Sequence, residues 1–202
     1  MARPREFDED HVLEQALHVF WEKGYDAASL ADLQLAMGLT KSSLYKAFES
    51  KEELFRRVLE RYDRDYLAFR IDALAQATPR RIAESLLEGI VNLHTGKNTP
   101  SGCLVTLSAL ACSSEARPLR ETMSDSRNRF ERRLRARLES IKRAGPLPVG
   151  MSSADAASFL CTFIQGLAVQ ARGGATRRQL RALVAAVLKI WPDPALPVEQ
   201  LG

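Results

Sequence analysis

Apolar residues recur at three- and four-residue spacing along most of this chain, and strict alternation is almost absent, so the pattern predicts an all-α protein. Asp8 is placed to cap a first helix, with Phe7 just outside it. Val12, Leu13, Ala16, Leu17, Phe20 and Trp21 then repeat on one face until Gly24 stops it. A second helix is expected from Ser29, with Asp32 in the reciprocal capping position, and Gly38 ends it. Thr40 caps a short third helix holding Leu44 and Tyr45. Ser50 and Glu53 form another capping box and open a long helix running through Leu54, Val58, Arg61, Tyr62, Tyr66 and Phe69.

Pro79 suits the first position of the next helix, which carries Ile82, Leu86, Ile90 and Leu93. Residues 96–102 are rich in turn formers. An apolar helix over 103–111 and an Arg-rich one over about 118–143 follow, and the Gly- and Pro-containing stretch 144–150 breaks the chain. Two last helices are expected near 153–172 and 176–190, before a Pro-rich tail, 193–202. The total is about nine helices, with no internal repeat.

The spacing over 29–48 carries the most chemistry. Two short capped helices joined by a turn containing glycine match the helix-turn-helix, whose second helix enters the DNA major groove. Ala31, Leu35, Leu39, Leu44 and Phe48 are expected to hold the pair together. Lys41, Ser42, Ser43, Tyr45 and Lys46 would then face outward. Short polar residues at a helix N-terminus reach base edges, Lys46 and Lys51 supply charge to phosphates, and Tyr45 supplies a hydroxyl donor. From spacing alone, a helix pair inside an ordinary α-helical core fits as well.

The stretch Gly38-Leu39-Thr40-Lys41-Ser42-Ser43-Leu44-Tyr45-Lys46-Ala47-Phe48-Glu49-Ser50-Lys51-Glu52-Glu53-Leu54 resembles the signature of the TetR family of regulators, as does Ala16 to Leu30 before it. The resemblance covers about residues 11–55 without a gap. It implies a three-helix DNA-binding domain over 1–50 and a larger helical domain over 51–192 for effector binding and dimerisation. It also implies a homodimer on double-stranded palindromic operator DNA, usually as a repressor. Carried over by position, Thr40, Lys41, Ser42 and Ser43 open the recognition helix, and Tyr45 and Lys51 contact the backbone. Ala47 departs from the family, which often has His or another polar residue there, so that phosphate contact is expected to be missing. Arg3 and Arg5 precede the first helix as a solvated tip or a minor-groove arm.

Charge adds less than it promises. The net charge is +4 and the pI about 9.1, yet residues 1–50 hold 5 Lys and Arg against 9 Asp and Glu. DNA binding must therefore rest on local placement. The excess Arg lies between Arg117 and Arg143, where a solvated helix face with pairing four residues apart explains it better than a second nucleic-acid surface. No apolar run reaches the roughly 20 residues of a membrane span. The N-terminus has no secretory pattern, and three unpaired-looking cysteines fit a reduced cytoplasm. No catalytic motif, metal-ligand spacing or cofactor fingerprint is present, so neither cofactor nor metal is expected. An enzyme, or a helical small-molecule-binding module without operator binding, are the alternatives.

The effector is an unknown small molecule. Tyr62, Tyr66, His94, Leu107 and Phe163 are candidates to line its cavity, although apolar stripes at helical spacing are ordinarily plain core. Cys103 is a sharper candidate. Ser101 would cap the helix and place Cys103 in its first turn, where unpaired backbone N–H groups favour a thiolate; a small buried apolar residue is the plainer alternative. A Gly-Cys-Leu here also resembles the subset of the family in which the cysteine senses electrophiles or oxidants. Cys112 is out of phase with Cys103, so no disulfide within that helix is expected. Phe159, Phe163 and Leu167, with Leu180, Val184 and Val187 on the last helix, form stripes suited to a four-helix dimer interface.

Overall fold

The computed structural model describes residues 8–192 apart from 112 and 115. Among them are ten α-helices, one π turn and no strand: α1 (Glu9–Ala27), α2 (Leu30–Met37), α3 (Lys41–Phe48), α4 (Lys51–Arg61), the π turn (Tyr62–Tyr66), α5 (Phe69–Ala75), α6 (Pro79–His94), α7 (Leu104–Ala111), α8 (Arg117–Ser140), α9 (Ser153–Arg172) and α10 (Arg177–Leu188). Phe7, the Arg3 and Arg5 arm, Cys112 and the 193–202 tail lie outside the described residues.

Local chemistry sets most of these boundaries. The Asp8 carboxylate accepts from the backbone N–H groups of Asp10 and His11 and so caps α1. Gly24 has φ +77°, which ends the regular helix there although the next turn continues to Ala27. Ser29 and Asp32 make the full reciprocal box, and Gly38 closes α2 in the left-handed conformation. Thr40 and Ser50 cap α3 and α4 by accepting from Ser43 N and Glu53 N. Thr78 caps α6, with Pro79 in its first turn.

The helix expected from Ser50 through Phe69 is not continuous. It relaxes into the π turn, where Leu67 N–H donates to the Tyr62 carbonyl, and α5 restarts at Phe69. This interruption makes ten α-helices where about nine were expected.

Two clusters of buried side chains hold the molecule. The first runs from Val12 through α4 to Tyr62 and Leu67, then takes in Cys103, Leu104 and Val105, Leu119, Met123 and Ala168. The packing of the N-terminal helices therefore continues past residue 50, because α1 lies against α4 and α7 as well as α2. The second cluster joins α5, α6 and the end of α8 to α9, α10 and Trp191. Gly89 permits the closest approach in it, since a Cβ there would meet the Phe69 ring at 2.3 Å. Arg137 adds a polar tie by donating to the carbonyls of Leu74 and Gln76 at the end of α5.

Candidate functional site

The α2–α3 pair presents the DNA-reading surface. Lys41, Ser42, Tyr45 and Lys46 are exposed on α3, while Leu44 and Phe48 are buried beneath them. The Thr40 hydroxyl is committed to its cap and also lies 3.1 Å from Ser42 Oγ and 3.0 Å from Ser43 Oγ. That network fixes the first turn of α3, a turn whose N–H groups favour phosphate. Ala47 is half-buried and offers no polar group.

Lys51 is half-buried, with its ammonium 4.6 Å from the centre of the Tyr25 ring. Burial lowers its pKa, and the negative charge of Asp26 opposes that shift. Tyr25, in the turn after Gly24, is the seat for this lysine, and sequence reasoning missed it.

One expected packing contact fails. Leu35 is 86% exposed and Ala31 is exposed too, because α2 turns Leu33 and Met37 into the core instead. Lys23 stands 2.6 Å from Asp32. With Ser29 also donating, Lys23 holds the Asp32 carboxyl at a pKa of about 2.

A cavity opens between the π turn, α6, α7, α8 and α9, enclosing about 520 Å³ free of protein atoms, including its open mouth. Leu67, Ile90, Val105, Phe130 and Ile164 give its apolar wall. Arg70, His94, Thr106, Ser126, Arg127 and Gln165 converge on it as polar groups, together with Cys103 and Cys161. Of the residues expected to bind an effector, Cys103 and His94 line it. Tyr62, Tyr66, Leu107 and Phe163 do not. Leu107 instead packs over Gly102, where a Cβ would meet its Cδ1 at 2.6 Å, and Phe163 is half-exposed on α9.

The two tyrosines bind the cavity wall to α1. Tyr62 is buried and its hydroxyl donates to Cys103 Sγ at 3.6 Å. Burial, then the nearby thiol, raises its pKa well above the ordinary value. The Tyr66 hydroxyl donates to Glu14, which also receives Arg61 Nε at 2.8 Å. Burial pushes Glu14 upward, but these two donors prevail and hold its carboxyl below the usual value.

Cys103 is not inside the first turn of α7, as expected, but in the capping position ahead of Leu104, its carbonyl accepting from Leu107 N. Ser101 plays no capping role there. Cys161 faces the same cavity, and burial, followed by the charge of Glu131, pushes its thiol up to about 12. His94 is 2% exposed, and neither ring nitrogen has a hydrogen-bond partner among the described residues. Burial, then the positive charge of Arg70, lowers its pKa to about 4, so the ring is neutral near pH 7.

Leu167, Leu180, Val184 and Val187, expected at a dimer interface, are buried in the protomer's own core. The apolar face left open on α9 and α10 consists of Phe159, Phe163 and Val169 with Leu183 and Ile190. At 100° per residue this stripe lies well round both helices from the core stripe.

No helix of the described residues is long and apolar enough to cross a membrane, and no cluster of three or more metal-ligand side chains occurs among them. Residues 12–58 match the family model described as bacterial regulatory proteins, tetR family. The chain is 34% identical over 195 residues to the HTH-type transcriptional repressor ComR of Escherichia coli K12, covering 95% of this chain and 92% of that one. It is 43% identical over 61 residues to the E. coli repressor BdcR, covering 30% of this chain and 31% of that one. Among solved structures, a cysteine mutant of the TetR family transcriptional regulator CifR, complexed with 26-bp double-strand operator DNA, superposes with a TM-score of 0.88. It has 38% identity and covers 94% of this chain and 100% of that chain. The chain belongs to the tetR family of bacterial regulatory proteins.

Proposed function

We propose that the protein is a homodimeric repressor that binds a palindromic operator through α3 and is released when a small molecule occupies the cavity. The division of labour is a helix-turn-helix over 1–50 and an effector and dimerisation region over 51–192. The observation that carries this reading is the Thr40-capped α3, which exposes Lys41, Ser42, Tyr45 and Lys46 over a buried Leu44 and Phe48. The likeness to CifR, whose solved complex contains operator DNA, supports it. Lys46 and Lys51 supply charge to the backbone, Tyr45 a hydroxyl, and Lys41 to Ser43 approach base edges.

Dimerisation through Phe159, Phe163, Leu183 and Ile190 places two copies of α3 about one DNA turn apart. An effector acts through α1, because the π turn and the Gly102–Cys103 corner both hydrogen-bond or pack against it. Modification of Cys103 is a second route to release, favoured by its place in the cavity wall and its contact with Tyr62.

The test is fluorescence anisotropy of purified protein on palindromes taken from the DNA flanking its gene. A site bound as a dimer, and lost on treatment with iodoacetamide in wild type but not in Cys103→Ser, is expected. Failure to bind any such palindrome at low salt overturns the repressor reading.

A further inference from the structure

We infer that the effector carries a negative charge, most simply a carboxylate, which Arg70 receives at the mouth of the cavity; this rests on the effector-released reading above. Arg70 is the unusual cation of this half of the molecule. Arg56 pairs with Glu52, Arg61 with Asp10 and Glu14, and Arg64 with Asp65. Arg70 has no ion-pair partner among the described residues, and its Nε is buried without an acceptor. Its guanidinium carbon stands 4.2 Å from the centre of the Phe130 ring, so the group is held over the cavity rather than swung into solvent.

A buried guanidinium N–H without an acceptor is an incomplete site, because the planar fork is matched by a carboxylate. A second observation points the same way. His94, 2% exposed, faces the same cavity with both nitrogens unpartnered. In its neutral form it offers one N–H donor to a second oxygen.

The approach from solvent is biased as well. The hollow that adjoins the cavity at Arg70 and Phe130 is lined by Arg64, Arg129 and Arg133 against Asp63 alone. A cleft lined mainly by one sign of charge concentrates ligands of the other sign. Phe130, Ile90 and Ile164 then receive a compact apolar body.

Calorimetric titration of the full chain, without DNA, separates this inference from the operator reading. The probes are matched pairs of the same skeleton, acetate with acetamide, butyrate with butyramide and benzoate with benzamide. At least one carboxylate is expected to bind with about ten- to a hundredfold preference over its amide, the range of a charge-assisted hydrogen bond. Arg70→Gln removes that preference and Arg70→Lys keeps part of it, with circular dichroism confirming that both variants fold. Equal binding of acids and amides, no binding by any carboxylate, or unchanged preference in a folded Arg70→Gln overturns the inference. If carboxylates bind through Arg70 but operator affinity does not respond, the charge assignment stands and the release reading fails.

Discussion

The indole N–H of Trp21 donates a 2.8 Å hydrogen bond to the carbonyl oxygen of Gly102, 81 residues away. Trp21 belongs to the helix that braces the DNA-reading pair, and Gly102 immediately precedes the cavity cysteine. The indole also meets Tyr62 and Tyr66 edge to face, with ring centres at 4.8 and 5.0 Å. Gly102 holds φ +85°, and a Cβ there would stand 3.0 Å from the Ala168 carbonyl, so the corner is fixed from both sides.

Trp21→Phe keeps most of the packing but strands a buried carbonyl, and we expect a loss of about 1–3 kcal/mol in chemical denaturation. The same variant should bind operator at low temperature yet respond less to alkylation of Cys103. A full response in anisotropy would mean that this bond does not carry the signal.

On α3, Lys46→Ala is expected to weaken operator binding evenly across sequences and to flatten the salt dependence by about one unit of slope for each lost phosphate contact. Ser42→Ala should instead change which bases are preferred. Titrations over a set of single-base operator variants, repeated at several salt concentrations, distinguish the two, and an unaltered preference in Ser42→Ala removes it from the reading surface.

Leu183→Arg, at an exposed position on α10, should leave the protomer folded and shift sedimentation from dimer to monomer, with operator affinity falling accordingly. Leu180→Ala acts differently: it opens the protomer's own core and should cost about 2–5 kcal/mol of stability. A dimer that survives Leu183→Arg would place the interface elsewhere.

His94 gives the fold a pH dependence of definite sign. Its folded pKa of about 4 lies below the ordinary 6.5, so the unfolded chain takes up a proton that the folded one refuses. This contribution is complete above pH 6.5 and is lost as pH falls towards 4, reaching on the order of 3 kcal/mol. In His94→Gln, denaturation midpoints should fall less steeply over that window; an identical slope would show that His94 titrates normally.

Much of the frame was legible because its signals are local. Asp8, Ser29 with Asp32, Thr40 and Ser50 each announce a helix start within four residues, and each caps as its type dictates. The π turn carries no such mark, since residues 61–69 contain neither Gly nor Pro. It coincides with two tertiary bonds, Tyr62 to Cys103 and Tyr66 to Glu14. Leu35 misled because α2 has apolar residues on more than one face, and only packing against α1 decides which is buried. The same ambiguity hid the open stripe of α9 and α10 behind Leu167 and Val184. Arg70 and Cys161 meet in one cavity from elements ninety residues apart in the chain, and neither has a neighbour in sequence that hints at the other.

The π turn has one more effect, on length rather than composition. It accommodates an extra residue within a helical path, and each helical residue advances the direction of side chains by about 100°. Removing one residue between Tyr62 and Tyr66 would let the helix run on regularly while swinging Phe69 away from Gly89 and Arg70 away from Phe130. The operator-reading end and the cavity end are thus set at a fixed angular offset by a single residue, so this segment should tolerate exchange of its side chains far better than any change in their number.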